Sequence, residues 1–319
     1  MSESPMSESV MSTLSTRYAV LFPGQGVQRP EMGGPWRSTE SWELVETVSR
    51  SSGFDVAELL LTADQETLSR TDHAQISVFT ASLLAWSEFR RRQPETPVAA
   101  LAGHSLGEYT ALVAAGVLSV ADGAWLVGER GRAMAAAARK RPGAMAAVMG
   151  GTAGQVAELV DAAREEGAEL WVANHNSPQQ TVVAGSREAV ADAAGPVAAA
   201  GLRYSVLPVS AACHSPYMEP AGVALRRALD LTHFDAGVLP VVANVDARAH
   251  YGGSQWRELS TRQLVSPVRW VDSLHALHEE LDCGAFLDIG PGATLAGLTR
   301  RTLPGVPVHK FAARVPAAV

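Results

Sequence analysis

The run Gly103-His104-Ser105-Leu106-Gly107 constrains this chain more than any other five residues. It fits the pattern G-x-S-x-G, and its neighbours supply the context that the pattern needs. Val98 to Ala102 is a short apolar run that reads as a buried strand, and Leu106 to Ala115 reads as the helix that follows. The glycines permit a sharp strand-to-helix turn that lifts the serine hydroxyl above the end of a sheet. The helix N-terminus behind that turn offers backbone N–H groups and a positive dipole end, a setting that suits an oxyanion. The plainer alternative is a tight turn whose serine caps the helix.

The rest of the chain fits an α/β protein. Tyr18 to Phe22 is an apolar run stopped by Pro23, Gly24 and Gly26, as a buried strand ending in a loop would be. Ser41 to Leu68 is helical with breaks, and Ala74 to Phe89 is a longer helix ending in Arg90, Arg91 and Arg92. Strands that alternate with helices indicate a parallel sheet covered on both faces. After Met134 the composition shifts to an alanine-rich, basic stretch that runs to Pro142 and Gly143. Beyond it come a strand (144–149), a helix (154–166), two strands (169–174 and 180–184), a helix (187–199) and a strand (203–206). That order, βαββαβ, is the split arrangement of a ferredoxin-like unit. The expected organisation is a main domain from 17–139 and 210–319 with a ferredoxin-like subdomain, 140–209, inserted in it. Val238 to Asn244 and Ala285 to Ile289 are strand candidates that would rejoin the main sheet. Residues 1–16, rich in Ser and Met and without the basic and apolar regions of a secretory signal, read as a disordered tail.

Composition removes several function classes. With 47% hydrophobic and 18% charged residues the chain reads as globular, and no stretch approaches the roughly 18 uninterrupted apolar residues of a membrane span. A net charge of −7 gives no electrostatic reason to expect nucleic acid or an anionic membrane as partner. Two cysteines, Cys213 and Cys283, point to a reducing, cytoplasmic compartment and away from a disulfide framework or a cysteine-based metal site. The expectation is a monomer without a bound metal.

A serine at its free pKa is a poor nucleophile and needs a base. Nine histidines are available. His104 adjoins Ser105 and would point elsewhere, while His275 and His278 fall on a surface helix. His214 follows an apolar run and precedes Pro216, which suits a loop at a strand end. The residues alone do not choose among them.

Further motifs make a resemblance visible. Phe22-Pro23-Gly24-Gln25-Gly26, Gly103 to Tyr109, Glu129-Arg130-Gly131, Gly143 to Ala147, Asn174 to Gln180, His214-Ser215-Pro216, Gln263 to Trp270 and Asp288 to Gly292 occur in that order. From about Tyr18 to Arg300 the chain resembles malonyl-CoA:acyl-carrier-protein transacylases and the acyltransferase domains of polyketide synthases. The resemblance implies an α/β-hydrolase-like core with an inserted ferredoxin-like subdomain. It further implies Ser105 as the acylated nucleophile, His214 as its base, and Gln263 as the residue whose carbonyl orients the imidazole. The backbone N–H groups of Leu106 and Gln25 would form the oxyanion hole. Arg130 would grip the free carboxylate of malonate, with Cys213 and His104 also lining the substrate site. The donor would be acyl-CoA and the acceptor the phosphopantetheine of an acyl carrier protein, so no resident cofactor is implied.

Two positions depart from the malonyl-specific pattern. Cys213 stands where those relatives carry Phe and many methylmalonyl-specific ones carry Ser, which leaves room for an α-substituent, whereas Leu106 is the residue more usual in malonyl enzymes. Gln75-Ile76-Ser77 replaces Gln-Pro-Ala, from which a local change of helix entry is expected. The competing readings are an acyl-thioester hydrolase that clears carrier proteins, acyl transfer between carrier proteins, and a catalytically silent docking subunit. Arg139 to Arg141 and Arg300 to Arg301 are candidates for contacting an acidic carrier helix.

Overall fold

The computed structural model describes residues 16–311, so all but the last residue of the expected tail lies outside the described residues. Ten strands follow in chain order: β1 (Tyr18–Phe22), β2 (Val98–Gly103), β3 (Ala144–Met149), β4 (Leu170–Ser177), β5 (Gln180–Gly185), β6 (Arg203–Val206), β7 (Val241–Val242), β8 (Ala249–His250), β9 (Ala285–Ile289) and β10 (Val308–Phe311). They form a six-stranded sheet in the order β10-β9-β1-β2-β7-β8 and a four-stranded sheet in the order β4-β5-β3-β6. In the first, every pairing is parallel except that of β7 with β8. In the second, every pairing is antiparallel. That order, with a helix before β4 and helices before β6, is a ferredoxin-like unit lying between β2 and β7 in the chain.

Side-chain alternation assigns the layers. Val20, Phe22 and Leu101 belong to one buried cluster with the long helix Thr71–Arg92, while Ala19, Leu21, Ala100 and Ala102 face a second cluster around Trp270, Leu274 and Leu298. A strand buried on both faces loses the polar alternation of a surface strand, which is why β1 and β2 read as continuous apolar runs. In the small sheet Ala146 and Val148 pack on Val156, Val160 and Val190, and Met145 and Ala147 turn to the main core. The subdomain is thereby sealed on one face by its own helices and on the other by the rest of the chain.

Several expected elements change in extent, each for a local reason. The helix expected over 187–199 is two, Arg187–Asp192 and Ala194–Ala199. Pro196 lacks an N–H and its ring would meet the carbonyl of Asp192, where the first helix ends. The strand expected over 238–244 shrinks to Val241–Val242, because the Val238 N–H is taken by the Ala115 carbonyl and Ala243 pairs with Arg248 across a turn. The helix expected from Ala74 begins at Thr71, so Ile76 is a buried residue inside it and the expected change of helix entry does not occur there. The composition shift at Met134 is no boundary, since one helix runs from Val120 through it to Lys140.

The ends of β1 and β2 meet backbone to backbone. A Cβ on Gly107 would lie 2.1 Å from the Phe22 carbonyl oxygen, and one on Gly103 would lie 1.9 Å from the Gly107 carbonyl. Neither place has room for a methyl group. Gly107→Ala is therefore expected to cost at least about 3 kcal/mol, the upper end of ordinary overpacking. Denaturant unfolding measures it; wild-type stability in that variant would show that the loop moves aside at no cost.

Candidate active site

Ser105 sits at the C-terminal end of β2 with φ 51°, in the left-handed region that a non-glycine residue enters at a cost of order 1–3 kcal/mol. Two neighbours hold it there through three hydrogen bonds. The Asn244 amide accepts the Ser105 N–H at 2.6 Å and donates to the Gly103 carbonyl at 2.7 Å, and Gln263 Nε2 donates to the Ser105 carbonyl at 2.9 Å. Clamped in this way, the half-buried side chain projects into a cavity of about 390 Å³ lined by the loops that follow β1 and β2 (Gln25, Leu106), by Arg130 and by Met145 and Asn174 of the four-stranded sheet.

The distant His214 reaches the hydroxyl. His214 Nε2 lies 2.8 Å from Ser105 Oγ, and His214 Nδ1 lies 2.8 Å from the backbone carbonyl of Gln263. A carbonyl can only accept, so the proton belongs on Nδ1, and Nε2 is left bare to accept the hydroxyl proton. Gln263 closes the helix Trp256–Gln263, and a carbonyl at a helix C-terminus lacks an intrahelical donor and carries extra negative charge. It can thus do much of what a carboxylate does in a Ser-His-Asp arrangement without placing an anion in the core. Burial, with the Arg130 charge adding to it, pushes the His214 pKa down to about 3.

Arg130, on the helix Val120–Lys140, is 1% exposed. Its guanidinium donates to Gln75 Oε1 at 2.6 Å, to Gln263 Oε1 at 3.0 Å and to Ser105 Oγ at 3.2 Å. All three acceptors are neutral. The buried Nε has no partner among the described residues. A desolvated cation held only by neutral groups is an incomplete ion pair, and an incoming carboxylate would complete it.

The remaining expected residues lie close by. Leu106 and Gln25 line the cavity beside Ser105, and neither backbone N–H has an acceptor among the described residues, so both are free to point at an oxyanion. His104 turns away from Ser105 Oγ, as expected of a residue adjacent to it. Its Nε2 pairs with Asn176 Oδ1 at 2.8 Å and its ring packs edge-on to Trp270, while it still contributes to the cavity wall. Cys213 also lines the cavity, and burial pushes its thiol up to about 11, so it is a small neutral wall. Of the basic residues outside the cavity, Arg141 is engaged by Glu169 and lies over Tyr217, and Arg300 donates to the Val308 carbonyl.

Four residues in direct contact with this set carry no expected role in the sequence reading: Gln75, Asn176, Asn244 and Glu108. Asn244 lay inside an expected strand, and Glu108 within a quoted motif. Their partners are far apart in the chain, and no local period points to them. Asn244 alone follows a plainly apolar run, Val241-Val242-Ala243, which is the one such signal available. Glu108 is 1% exposed, and burial pushes its carboxyl up to about 8 against the Asn244 N–H, the Arg130 charge and the Gln263 amide.

The lowered pKa of His214 has a sign that can be checked. The unfolded chain takes up this proton near the ordinary value of 6.5 and the folded chain only near 3, so the contribution of His214 to stability is present above 6.5 and is lost as pH falls through that window. Imidazole NMR of the folded protein at about pH 5 is expected to show His214 neutral. Titration of that ring near 6.5 would contradict the burial argument.

Comparison with known proteins identifies the family to which the chain belongs. The acyl transferase domain family matches residues 20–317. The chain is 37% identical over 291 residues to the malonyl CoA-acyl carrier protein transacylase of Escherichia coli K12, covering 90% of this chain and 93% of that one. The crystal structure of malonyl-CoA:acyl carrier protein transacylase from Xanthomonas oryzae pv. oryzae superposes with a TM-score of 0.89 at 37% identity, covering 94% of this chain and 95% of that one. A malonyl-transacylase solved in complex with its type II polyketide synthase acyl-carrier protein superposes with a TM-score of 0.85 at 33% identity, covering 92% and 95% of the two chains. A left-handed serine on an elbow, a neutral imidazole beneath it and a buried guanidinium beside it therefore sit within a whole-chain match, and the chain belongs to the acyl transferase family, among the malonyl-CoA:acyl-carrier-protein transacylases.

Proposed function

We propose that this chain moves a malonyl-type acyl group from coenzyme A to the phosphopantetheine thiol of an acyl carrier protein through an ester on Ser105. The observation that carries the reading is that Ser105 Oγ lies within hydrogen-bond reach of both a bare imidazole nitrogen and a buried, unneutralised guanidinium. The first makes the hydroxyl a nucleophile, and the second selects an acyl group with its own carboxylate.

In the first half-reaction His214 Nε2 takes the Ser105 proton as Oγ attacks the thioester carbonyl. The tetrahedral oxyanion is met by the Leu106 and Gln25 N–H groups, each such donor contributing about 2.7–4 kcal/mol where it has been measured in other enzymes. Collapse breaks the C–S bond, and the imidazolium returns its proton to the leaving thiolate. Throughout, Arg130 holds the distal carboxylate in a bidentate grip. The second half runs in reverse with the carrier thiol: its proton passes to His214, its sulfur attacks the ester, and Ser105 Oγ leaves and recovers a proton. Every step is assigned to a group of this chain, with acyl-CoA and the carrier's phosphopantetheine as substrates. Cys213 and Leu106 both line the cavity; the small Cys213 leaves room for an α-substituted malonyl group, whereas Leu106 is the residue more usual in malonyl enzymes. No helix among the described residues is long and apolar enough to cross a membrane, and two free cysteines support a cytoplasmic setting.

Hydrolysis of neutral acyl chains is the weaker reading, because such a substrate leaves Arg130 without an anion. Incubated with malonyl-CoA, the wild type is expected to gain the mass of one malonyl group, and Ser105→Ala is expected to gain none. Acylation of the Ser105→Ala protein would end the proposal. Arg130→Ala should lower malonyl transfer efficiency by about 2–5 kcal/mol while reducing acetyl transfer far less. Equal losses on both acyl groups would remove the carboxylate-binding role.

A further inference from the structure

We infer that Glu108 is a positioning residue of the acylation step, acting through Asn244 and Gln263 to hold the serine elbow and the guanidinium in register. This rests on the reading of Ser105 as the acylated residue.

The carboxylate sits in the first turn of the helix Gly107–Ala114, directly behind the elbow, where the helix dipole favours a negative charge. It touches none of the reacting groups. Glu108 Oε2 accepts the backbone N–H of Asn244 at 2.7 Å, and Oε1 accepts from Gln263 Nε2 at 2.9 Å. The residues it holds are the two that hold the site. Asn244, wholly buried, brackets the strained Ser105 by bonding on both sides of it, to the Ser105 N–H and the Gly103 carbonyl. Gln263 meets the Ser105 carbonyl, the Arg130 guanidinium and, through its own carbonyl, His214. One carboxylate thus links a loop after β7, a helix end and the elbow, elements more than 130 residues apart in the chain in each case (Asn244, 136; Gln263, 155).

The two N–H donors favour the anion at this point, against the burial that pushes the carboxyl up to about 8. Both Glu108 oxygens face N–H donors, so the ionised form satisfies the two bonds, and a protonated or amide form would turn a donor on a donor. Gln263 transmits the consequence. Its Nε2 points at Glu108 because its Oε1 points at Arg130. An amide at position 108 forces Gln263 to lose one bond or to flip, and a flipped Gln263 presents an NH2 group to the guanidinium. When ionised, Glu108 also places negative charge one amide away from Arg130, whose direct acceptors are all neutral. A buried carboxylate without a direct cation partner is costly to keep, and these contacts say what keeps it.

The test is single-turnover acylation by malonyl-CoA, whose rate constant is independent of the fraction of folded protein. Glu108→Gln is expected to lower that constant by about ten- to a hundredfold, the scale of a misplaced reacting group, with the half-saturating malonyl-CoA concentration changed by less than about threefold. Asn244→Ala, which removes the elbow bracket from the other side, should show the same loss, and Glu108→Asp, which keeps the charge, should recover part of it. A Glu108→Gln or Asn244→Ala protein that acylates at the wild-type rate, or whose loss lies wholly in half-saturation, would overturn the inference. So would failure of both variants to fold, because it would assign the pair to stability. Wild-type acylation in the same experiment tests the Ser105 reading separately: absent there, the function fails; present there and unchanged in the variants, only the role of Glu108 fails.

Discussion

The first residue of the helix after the elbow meets the ends of β1 and β2 with no side chain between them, and the active arrangement follows from that contact. Gly107 lies under the Phe22 carbonyl and Gly103 lies against Gly107, so the chain leaving β2 must turn sharply. The turn places Ser105 in a left-handed conformation that L-residues avoid and brings its hydroxyl to His214 and Arg130 at the cavity. His214 shares the same backbone signature at φ 58°, so both members of the proposed dyad are held in conformations that only surrounding structure can maintain. The surrounding structure is a polar network in which each buried bond satisfies one group and fixes another.

Charge placement is the second principle of the site. The imidazole is kept neutral by burial, its proton directed to Nδ1 by a helix-end carbonyl, and the guanidinium is kept charged but unneutralised. A cation in that state lowers the energy of any anion that enters, whether the distal carboxylate of the acyl group or the developing oxyanion nearby. Water does the same job poorly, since it screens the field that selects the substrate. The ferredoxin-like unit contributes by closing one side of the cavity through Met145, Asn174 and Val182, on the sheet face that it turns to the main core.

What could be read from the sequence depended on whether the information was local. The elbow was legible because glycine spacing, strand and helix are contiguous, and β1, β3 and β9 kept the bounds that their apolar runs implied. The βαββαβ order was legible for the same reason. The residues alone could not choose His214, whose tie to Ser105 spans 109 positions and leaves no periodic trace; only family resemblance singled it out. Asn244 was hidden differently: it follows β7, in an apolar run whose last residues leave the sheet to brace the elbow. Gln75 carried no expected role of its own, since only the replacement of Pro-Ala by Ile76-Ser77 after it drew attention, yet it lies a turn inside the helix and receives the shortest of the three Arg130 hydrogen bonds. β10 escaped notice because a four-residue edge strand with a Lys and a His looks like a surface turn.

The central claim is that one serine carries the acyl group while one guanidinium holds its carboxylate, and a crystal structure of the protein trapped after reaction with malonyl-CoA tests it most directly. The account places an ester on Ser105 Oγ, the ester carbonyl oxygen against the Leu106 and Gln25 N–H groups, and the free carboxylate paired with Arg130. A covalent adduct on any other residue, or an ester on Ser105 whose carboxylate points into solvent with Arg130 still bound to its neutral partners, would contradict it.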